Sequence, residues 1–311
     1  MALGYLYPSS VEEAIECLKA HEGKARLIAG GTDLLPDIRK GDVAPDYLID
    51  VTRIPELGTI EVGDDWVTVG AAVSFGAIRA HPFLKERVHG LVEAAASVGA
   101  GAIQNAATWV GNIVQAMPAA DGAIAAVALD AEARITDRDG ERWKAVESLF
   151  EGPGVSAVDP TREMVAAIRF PCPGSNMGTG WRRVGRRAAL VLPILNCAVT
   201  VSIEENSFPI PDGGQHDERI ARATVALGPV APRPKRMRQA EGFLRGRVPT
   251  AETLVEAGHI AAGEARPRTS VMRASAEYRL EIVPVLVTEA LHAALDRARM
   301  GRGPVDRSRR R

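Results

Sequence analysis

Aromatic residues are scarce, 5% of the 311 positions, and there are only three cysteines, Cys17, Cys172 and Cys197. Three thiols, far apart and odd in number, exclude a disulfide framework or a zinc knuckle. They are also too few to hold an iron–sulfur cluster by four thiolates; all are expected to be buried small residues. No apolar run reaches the ~18 residues of a membrane-spanning helix. The opening Met1-Ala2-Leu3-Gly4-Tyr5-Leu6-Tyr7-Pro8 lacks the charged-then-apolar layout of a signal peptide, so a cytoplasmic protein is expected. An excess of one charge is missing too. Lys+Arg is 38 against Asp+Glu 39, a net charge of −1, which removes any electrostatic case for nucleic acid. The basic end over 299–311 reads as a disordered, solvated tail.

Catalytic signatures are equally absent. The histidines, His21, His81, His89, His216, His259 and His292, form no pair at metal-ligand spacing. There is no Gly-x-Ser-x-Gly elbow and no P-loop. Gly99-Ala100-Gly101 fails as a dinucleotide fingerprint because residue 104 is Gln and the preceding segment reads as helix; a helix C-cap and loop fit better. The chain therefore offers no catalytic residue or metal site of its own, and its chemistry must come from a bound cofactor.

What is present is apolar content of 46%, enough for about two domains at ~150 residues each. Ser9 with Glu12, or Ser10 with Glu13, makes a capping box for a first helix beginning near Val11. A strand over 26–29, a glycine turn, a short helix over 34–39 and a strand over 47–51 complete an opening unit that ends near Pro55. Residues 60–62 and 66–69 form a hairpin across Gly63-Asp64-Asp65. Helical spacing over 74–98 is broken at His81-Pro82, and 119–131 is an apolar, buried helix. Strands over 133–136 and 164–170 precede Pro171-Cys172-Pro173-Gly174, the best domain boundary. Beyond it, strands over 180–184, 195–203 and 222–227, with a polar loop over 204–219, precede helices over 235–244, 251–264 and 275–297. Strands followed by helices indicate an α+β arrangement with an antiparallel sheet.

The most informative stretch is Ala29-Gly30-Gly31-Thr32-Asp33-Leu34, directly after Leu27-Ile28. Adjacent glycines tolerate positive φ and carry no Cβ, so successive N–H groups can turn to one anion, with the Thr32 hydroxyl as a further donor. A second small-residue turn, Thr108-Trp109-Val110-Gly111-Asn112, is followed by Met117-Pro118-Ala119-Ala120-Asp121. Two such clamps suit a ligand with two phosphates. Asp121 would serve either as a helix N-terminal charge or as an acceptor for ligand hydroxyls. Among Arg182, Arg183, Arg186 and Arg187, most would be solvated, while one facing inward would stabilise negative charge that develops on a bound redox cofactor.

These segments, together with Ala226-Leu227-Gly228-Pro229-Val230-Ala231-Pro232-Arg233-Pro234 and Arg273-Ala274-Ser275-Ala276-Glu277-Tyr278-Arg279, resemble the FAD-binding medium subunits of molybdenum hydroxylases. That family includes the flavin subunits of xanthine dehydrogenase, aerobic carbon monoxide dehydrogenase and 4-hydroxybenzoyl-CoA reductase. The likeness runs in order from about residue 3 to 298. It implies a vanillyl-alcohol-oxidase-type FAD domain over 1–174, in two α/β parts of about 1–55 and 56–174. A C-terminal α+β domain over 175–298 follows, with a three-stranded antiparallel sheet and helices.

The resemblance also implies roles. Ile28, Ala29, Gly30, Gly31, Thr32, Asp33 and Leu34 would wrap the FAD pyrophosphate, Thr108, Gly111 and Asn112 would form the second clamp, and Asp121 would bind the ribityl and phosphate region. Val165 and either Arg182 or Arg183 would lie near the isoalloxazine ring. The family's usual Thr-x-Gly-Gly-Asn has Val110 before Gly111 here, so a looser second clamp is expected. The cysteine-bearing insertion that carries a [4Fe–4S] cluster in 4-hydroxybenzoyl-CoA reductase is absent from this sequence, and iron is not expected.

The implied function is electron transfer. Electrons would come from a molybdenum cofactor on a large molybdopterin subunit through [2Fe–2S] clusters of a small subunit, in a dimer of heterotrimers. FAD would pass them to NAD, quinone or oxygen. Competing readings are a free-standing flavin oxidoreductase of the vanillyl-alcohol-oxidase superfamily and a non-catalytic FAD-bearing scaffold.

Overall fold

The computed structural model describes residues 3–205 and 218–301. The chain opens with β1 (Gly4–Leu6), α1 (Val11–Ala20), β2 (Ala25–Ile28), α2 (Leu34–Lys40) and β3 (Tyr47–Asp50), and the strands form a parallel sheet in the order β1-β3-β2. Ser10 caps α1 by accepting from Glu13 N, whereas the Glu13 carboxylate turns to the Ser9 amide and hydroxyl. The expected box thus forms with its return arm displaced by one residue. Gly41 ends α2 in the left-handed region, φ 84°, where a Cβ would be strained.

The hairpin β4 (Ile60–Val62) and β5 (Trp66–Gly70) leads into α3 (Phe75–Ala80), α4 (Pro82–Arg87), α5 (His89–Ser97), α6 (Gly101–Ala106), α7 (Trp109–Val114) and α8 (Asp121–Ala128). Then come β6 (Glu132–Asp137), β7 (Gly140–Ala145), the small hairpin β8 (Phe150–Gly152) and β9 (Val155–Ser156), and β10 (Met164–Pro171). A five-stranded antiparallel sheet runs β4-β5-β10-β6-β7. Every residue of α8 is buried, including Asp121, which makes it the central helix of the first core.

The remainder comprises β11 (Met177–Val184), β12 (Leu195–Glu205), β13 (Glu218–Gly228), β14 (Lys235–Arg236), α9 (Arg238–Leu244), α10 (Ala251–Glu264) and α11 (Ala276–Gly301). Its sheet has four antiparallel strands, β11-β12-β13-β14, not three. Lys235–Arg236, read from sequence as a helix start, instead pairs with the end of β13. A buried Arg236 held by Asp130 and Glu241 decides this, a tertiary contact with no local signature. The tail begins later than expected: residues 299–301 continue α11, and Arg299 pairs with Glu218. Residues 302–311, like most of the polar loop over 204–219, lie outside the described residues. Of the cysteines only Cys197 is fully buried; Cys17 and Cys172 are half-buried.

Both ends of α8 are tied to the C-terminal sheet. Asn196, at the start of β12, donates from Nδ2 to Ala119 O at 3.2 Å and to Asp121 Oδ1 at 2.7 Å. At the other end Thr224 donates to Ala128 O, while Arg222 and Arg236 both reach Asp130. These contacts set the position of the α8 N-terminus, where the site described next is built.

Candidate functional site

A cleft of about 750 Å³ opens between the β2–α2 turn, the start of α7 and the start of α8. That volume lies within the range of cofactor pockets, ~300–1,000 Å³. Ile28 through Leu34, Thr108, Gly111, Asn112, Asp121 and Val165 all line it, so the cleft gathers segments far apart in sequence.

The two glycines do different things. Gly31 has φ +66° and turns the chain from β2 into α2. Gly30 is a packing residue: a Cβ there would stand 2.1 Å from Ala106 O and 2.9 Å from Ala107 Cα. Its missing side chain lets the first turn rest on the backbone just before Thr108, and this contact holds the two segments on one cleft. The sequence reading gave both glycines to ligand approach; for Gly30 the neighbour is the protein's own main chain. Among the described residues, the N–H groups of Gly30, Gly31, Thr32 and Asp33 meet no protein acceptor. Such a row of free amides is an anion cradle.

The second segment is a helix start and not an open loop. Thr108 caps α7, its Oγ1 accepting from Gly111 N at 3.1 Å. Val110 is buried at the first turn of α7 and also lines the cleft. Asn112 Oδ1 is buried and accepts no hydrogen bond. A buried acceptor without a donor costs roughly 1–3 kcal/mol, and this one lies on the Gly122 side of the residue, where a Cβ on Gly122 would stand 2.6 Å away.

Asp121 is 7% exposed. Burial pushes its carboxyl up to about 6, against the opposing pull of Arg183 and the Asn196 amide. Arg183 Nε lies 3.4 Å from Oδ1, at ion-pair distance without hydrogen-bond alignment. Arg183 also donates to Val191 O, and Val191 with Leu192 lines the cleft. Neither Arg182 nor Arg183 lines it directly: Arg183 stands behind Asp121, and Arg182 turns outward to Glu289 at 3.3 Å. The buried carboxylate draws the Arg183 guanidinium to itself. Asp33 is held above the ordinary carboxylate range by burial and by Asp37. A carboxyl so placed suits a hydroxyl partner better than a phosphate.

The pH dependence of stability follows from Asp121. Its folded value exceeds its unfolded one, so the native state binds the extra proton between about 4 and 6 and loses that advantage as pH rises through 6. On the order of 3 kcal/mol is at stake. In the ligand-free chain, Asp121→Asn should remove this decline. Melting temperatures of the two proteins across pH 4–7 test it, and parallel profiles would refute it.

Sequence reasoning missed several wall residues, including Val98, Gly99, Ile103, Val191 and Leu192. Nothing local marks them. Asn196 was legible in principle, as an amide opening an otherwise apolar strand.

Residues 1–173 match the family of the FAD binding domain in molybdopterin dehydrogenase, and residues 182–294 match the CO dehydrogenase flavoprotein C-terminal domain. The chain is 25% identical over 292 residues to the xanthine dehydrogenase FAD-binding subunit of Escherichia coli O157:H7, covering 94% of this chain and 95% of that one. It is 28% identical over 296 residues to the carbon monoxide dehydrogenase medium chain of Hydrogenophaga pseudoflava, covering 93% and 96%. The solved carbon monoxide dehydrogenase from that organism superposes with a TM-score of 0.84 at 27% identity, covering 96% of this chain and 98% of the other.

Proposed function

The chain belongs to the family of FAD-binding domains of molybdopterin dehydrogenases, and from that premise we propose that it is the flavin-carrying electron-transfer subunit of a heteromeric molybdenum hydroxylase. It takes electrons from the [2Fe–2S] clusters of a small subunit, downstream of a large molybdopterin subunit. It delivers them to NAD, quinone or oxygen. The assembly is a dimer of heterotrimers in the cytoplasm. Relatives described as medium chains support a multi-chain assembly. Among the described residues no helix is long and apolar enough to cross a membrane.

The observation that carries the reading is the cleft itself, where residues 30–33, whose amides meet no protein acceptor, line one volume of dinucleotide size together with Thr108, Gly111, Asn112 and Asp121. FAD, when bound, supplies one- and two-electron redox chemistry, which suits a junction between single-electron clusters and a two-electron acceptor. In this reading the 30–33 amides and Thr32 hold the diphosphate. Thr108, Gly111 and Asn112 close on it from the α7 side. Asp121, fixed by Asn196, accepts from ligand hydroxyls, and Val165 with Leu192 excludes water from the apolar end. We read residues 1–174 as the FAD-binding domain and 175–298 as the domain that positions α8, a division supported by the two separate apolar cores.

Purified alone, the full chain should show a flavin spectrum yet oxidise no hydroxylase substrate. Turnover should appear only when the partner subunits are restored. Substrate oxidation by the isolated chain would overturn the subunit reading in favour of a free-standing oxidoreductase.

A further inference from the structure

Arginines in this protein are widely paired. Arg142, Arg169, Arg182, Arg222, Arg236, Arg297 and Arg299 each meet a carboxylate. Others make no ion pair among the described residues, and six of these gather in one region. They are Arg186, Arg187, Arg266, Arg268, Arg273 and Arg279. Arg186 Nη1 donates to Met272 O at 3.2 Å, and Arg279 Nη1 donates to Pro229 O at 3.3 Å and to Arg268 O at 3.2 Å. Arg279 is 2% exposed, its Nε has no acceptor, and its charge is disfavoured by burial and by Arg273 and Arg268. Glu277, at the start of α11, is engaged there with Ser275.

At the centre of this positive region the chain protrudes. Ser270 and Ala274 bridge across a turn, and at its tip Val271 is 101% and Met272 77% exposed. Two adjacent apolar side chains standing fully in water gain nothing for the isolated chain, and the surrounding like charges repel one another. Both costs are relieved by one kind of surface, an apolar recess rimmed with carboxylates.

The position adds a functional link. Arg186 belongs to the 185–192 segment, which is pinned to the first core by Leu190 N donating to Gly99 O at 3.2 Å and contributes Val191 and Leu192 to the cleft wall. The positive knob therefore touches the same short segment that walls the cofactor cleft. A partner that must bring its redox centre near the cofactor would contact this side.

We propose that the Val271–Met272 tip and its arginine collar form the docking site for the electron-donating iron–sulfur subunit, through an acidic, apolar-centred surface on that partner. The proposal rests on the functional reading above. Uncompensated charge at such a rim speeds and orients association, while the apolar tip supplies the buried contact.

The test co-expresses the full chain with its [2Fe–2S] and molybdopterin subunits and compares wild type with Met272→Asp and with Arg186→Glu/Arg268→Glu. Each variant should retain wild-type flavin content and melting temperature, since the altered side chains lie on the surface. Each should also bind the purified [2Fe–2S] subunit at least about tenfold more weakly. Raising salt should weaken the wild-type complex and leave the charge-reversal variant nearly unaffected. Wild-type binding by both variants would overturn the docking site while leaving the proposed function intact. Loss of the molybdopterin subunit with the iron–sulfur subunit retained would overturn it as well. A wild-type chain that binds no iron–sulfur subunit at all would bring down the functional reading, and the docking site with it.

Discussion

Gly30→Val is expected to produce a chain that retains less than about a tenth of the wild-type FAD. A Cβ at this position would lie 2.1 Å from Ala106 O and 2.8 Å from Ala106 C, backbone atoms that cannot rotate away. The turn after β2 must then separate from the segment leading to Thr108, and the cleft loses the closeness of its two halves. Gly31 fails by another route. At φ +66° a β-branched residue is strained in the left-handed region, and the added Cβ would stand 3.1 Å from Ile28 Cδ1 and Leu35 Cδ1. Gly31→Val should likewise abolish FAD retention.

Gly31→Ala separates a local defect from general unfolding. It adds about 1–2 kcal/mol of left-handed strain, enough to weaken FAD binding about tenfold while the chain stays folded. Flavin absorbance per polypeptide after gel filtration, read beside the circular-dichroism melt, gives both quantities. Full flavin content in Gly30→Val would remove the cleft as the cofactor site.

The second large effect is on stability. Gly180→Val should destabilise the C-terminal half by on the order of 3 kcal/mol or more, lowering its melting temperature by roughly 10 °C. Strand β11 runs directly beneath α11, and a Cβ on Gly180 would stand 2.1 Å from Ala290 O, just as one on Gly178 would stand 2.0 Å from Ala294 O. Ala290, Ala294 and Ala298 are fully buried, so the helix face here is already as small as an L-residue allows. Relief would require α11 to lift from the sheet, carrying Arg297 away from Glu93 and Thr179 O. A melting temperature within about 2 °C of wild type would show that α11 is less firmly seated than this packing implies.

Much of this arrangement was legible in the residues because the signals are local. The helix over 251–264 begins at a Thr250 cap and ends where Pro267 approaches; its bounds coincide with α10. The 60–62 and 66–69 hairpin follows from its turn residues, and the buried α8 from its unbroken apolar content. Short elements were less legible. Strands β1, β7, β8, β9 and β14 and helices α6 and α7 are only two to six residues long, too short for a periodicity to declare itself.

At the site the same division holds. That 29–34, 108–112 and 121 belong together could be inferred from their composition and from family likeness, since small residues before a helix have few other uses. That Gly30 serves the contact between two segments, that Thr108–Asn112 is a helix start, and that Arg183 attends Asp121 instead of the cleft could not.

The amino-acid sequence alone settled the order of the longer elements and the absence of any nucleophile or metal motif of its own, because each is written in residue type and short-range spacing, while the cofactor class came through likeness to a family. The tertiary structure alone decided which glycine touches which backbone, which arginine is drawn behind a buried carboxylate, and which arginines are left without countercharge. Those outcomes depend on distances between groups separated by tens to hundreds of residues, and such distances arise only when burial of the two cores has fixed the elements against one another.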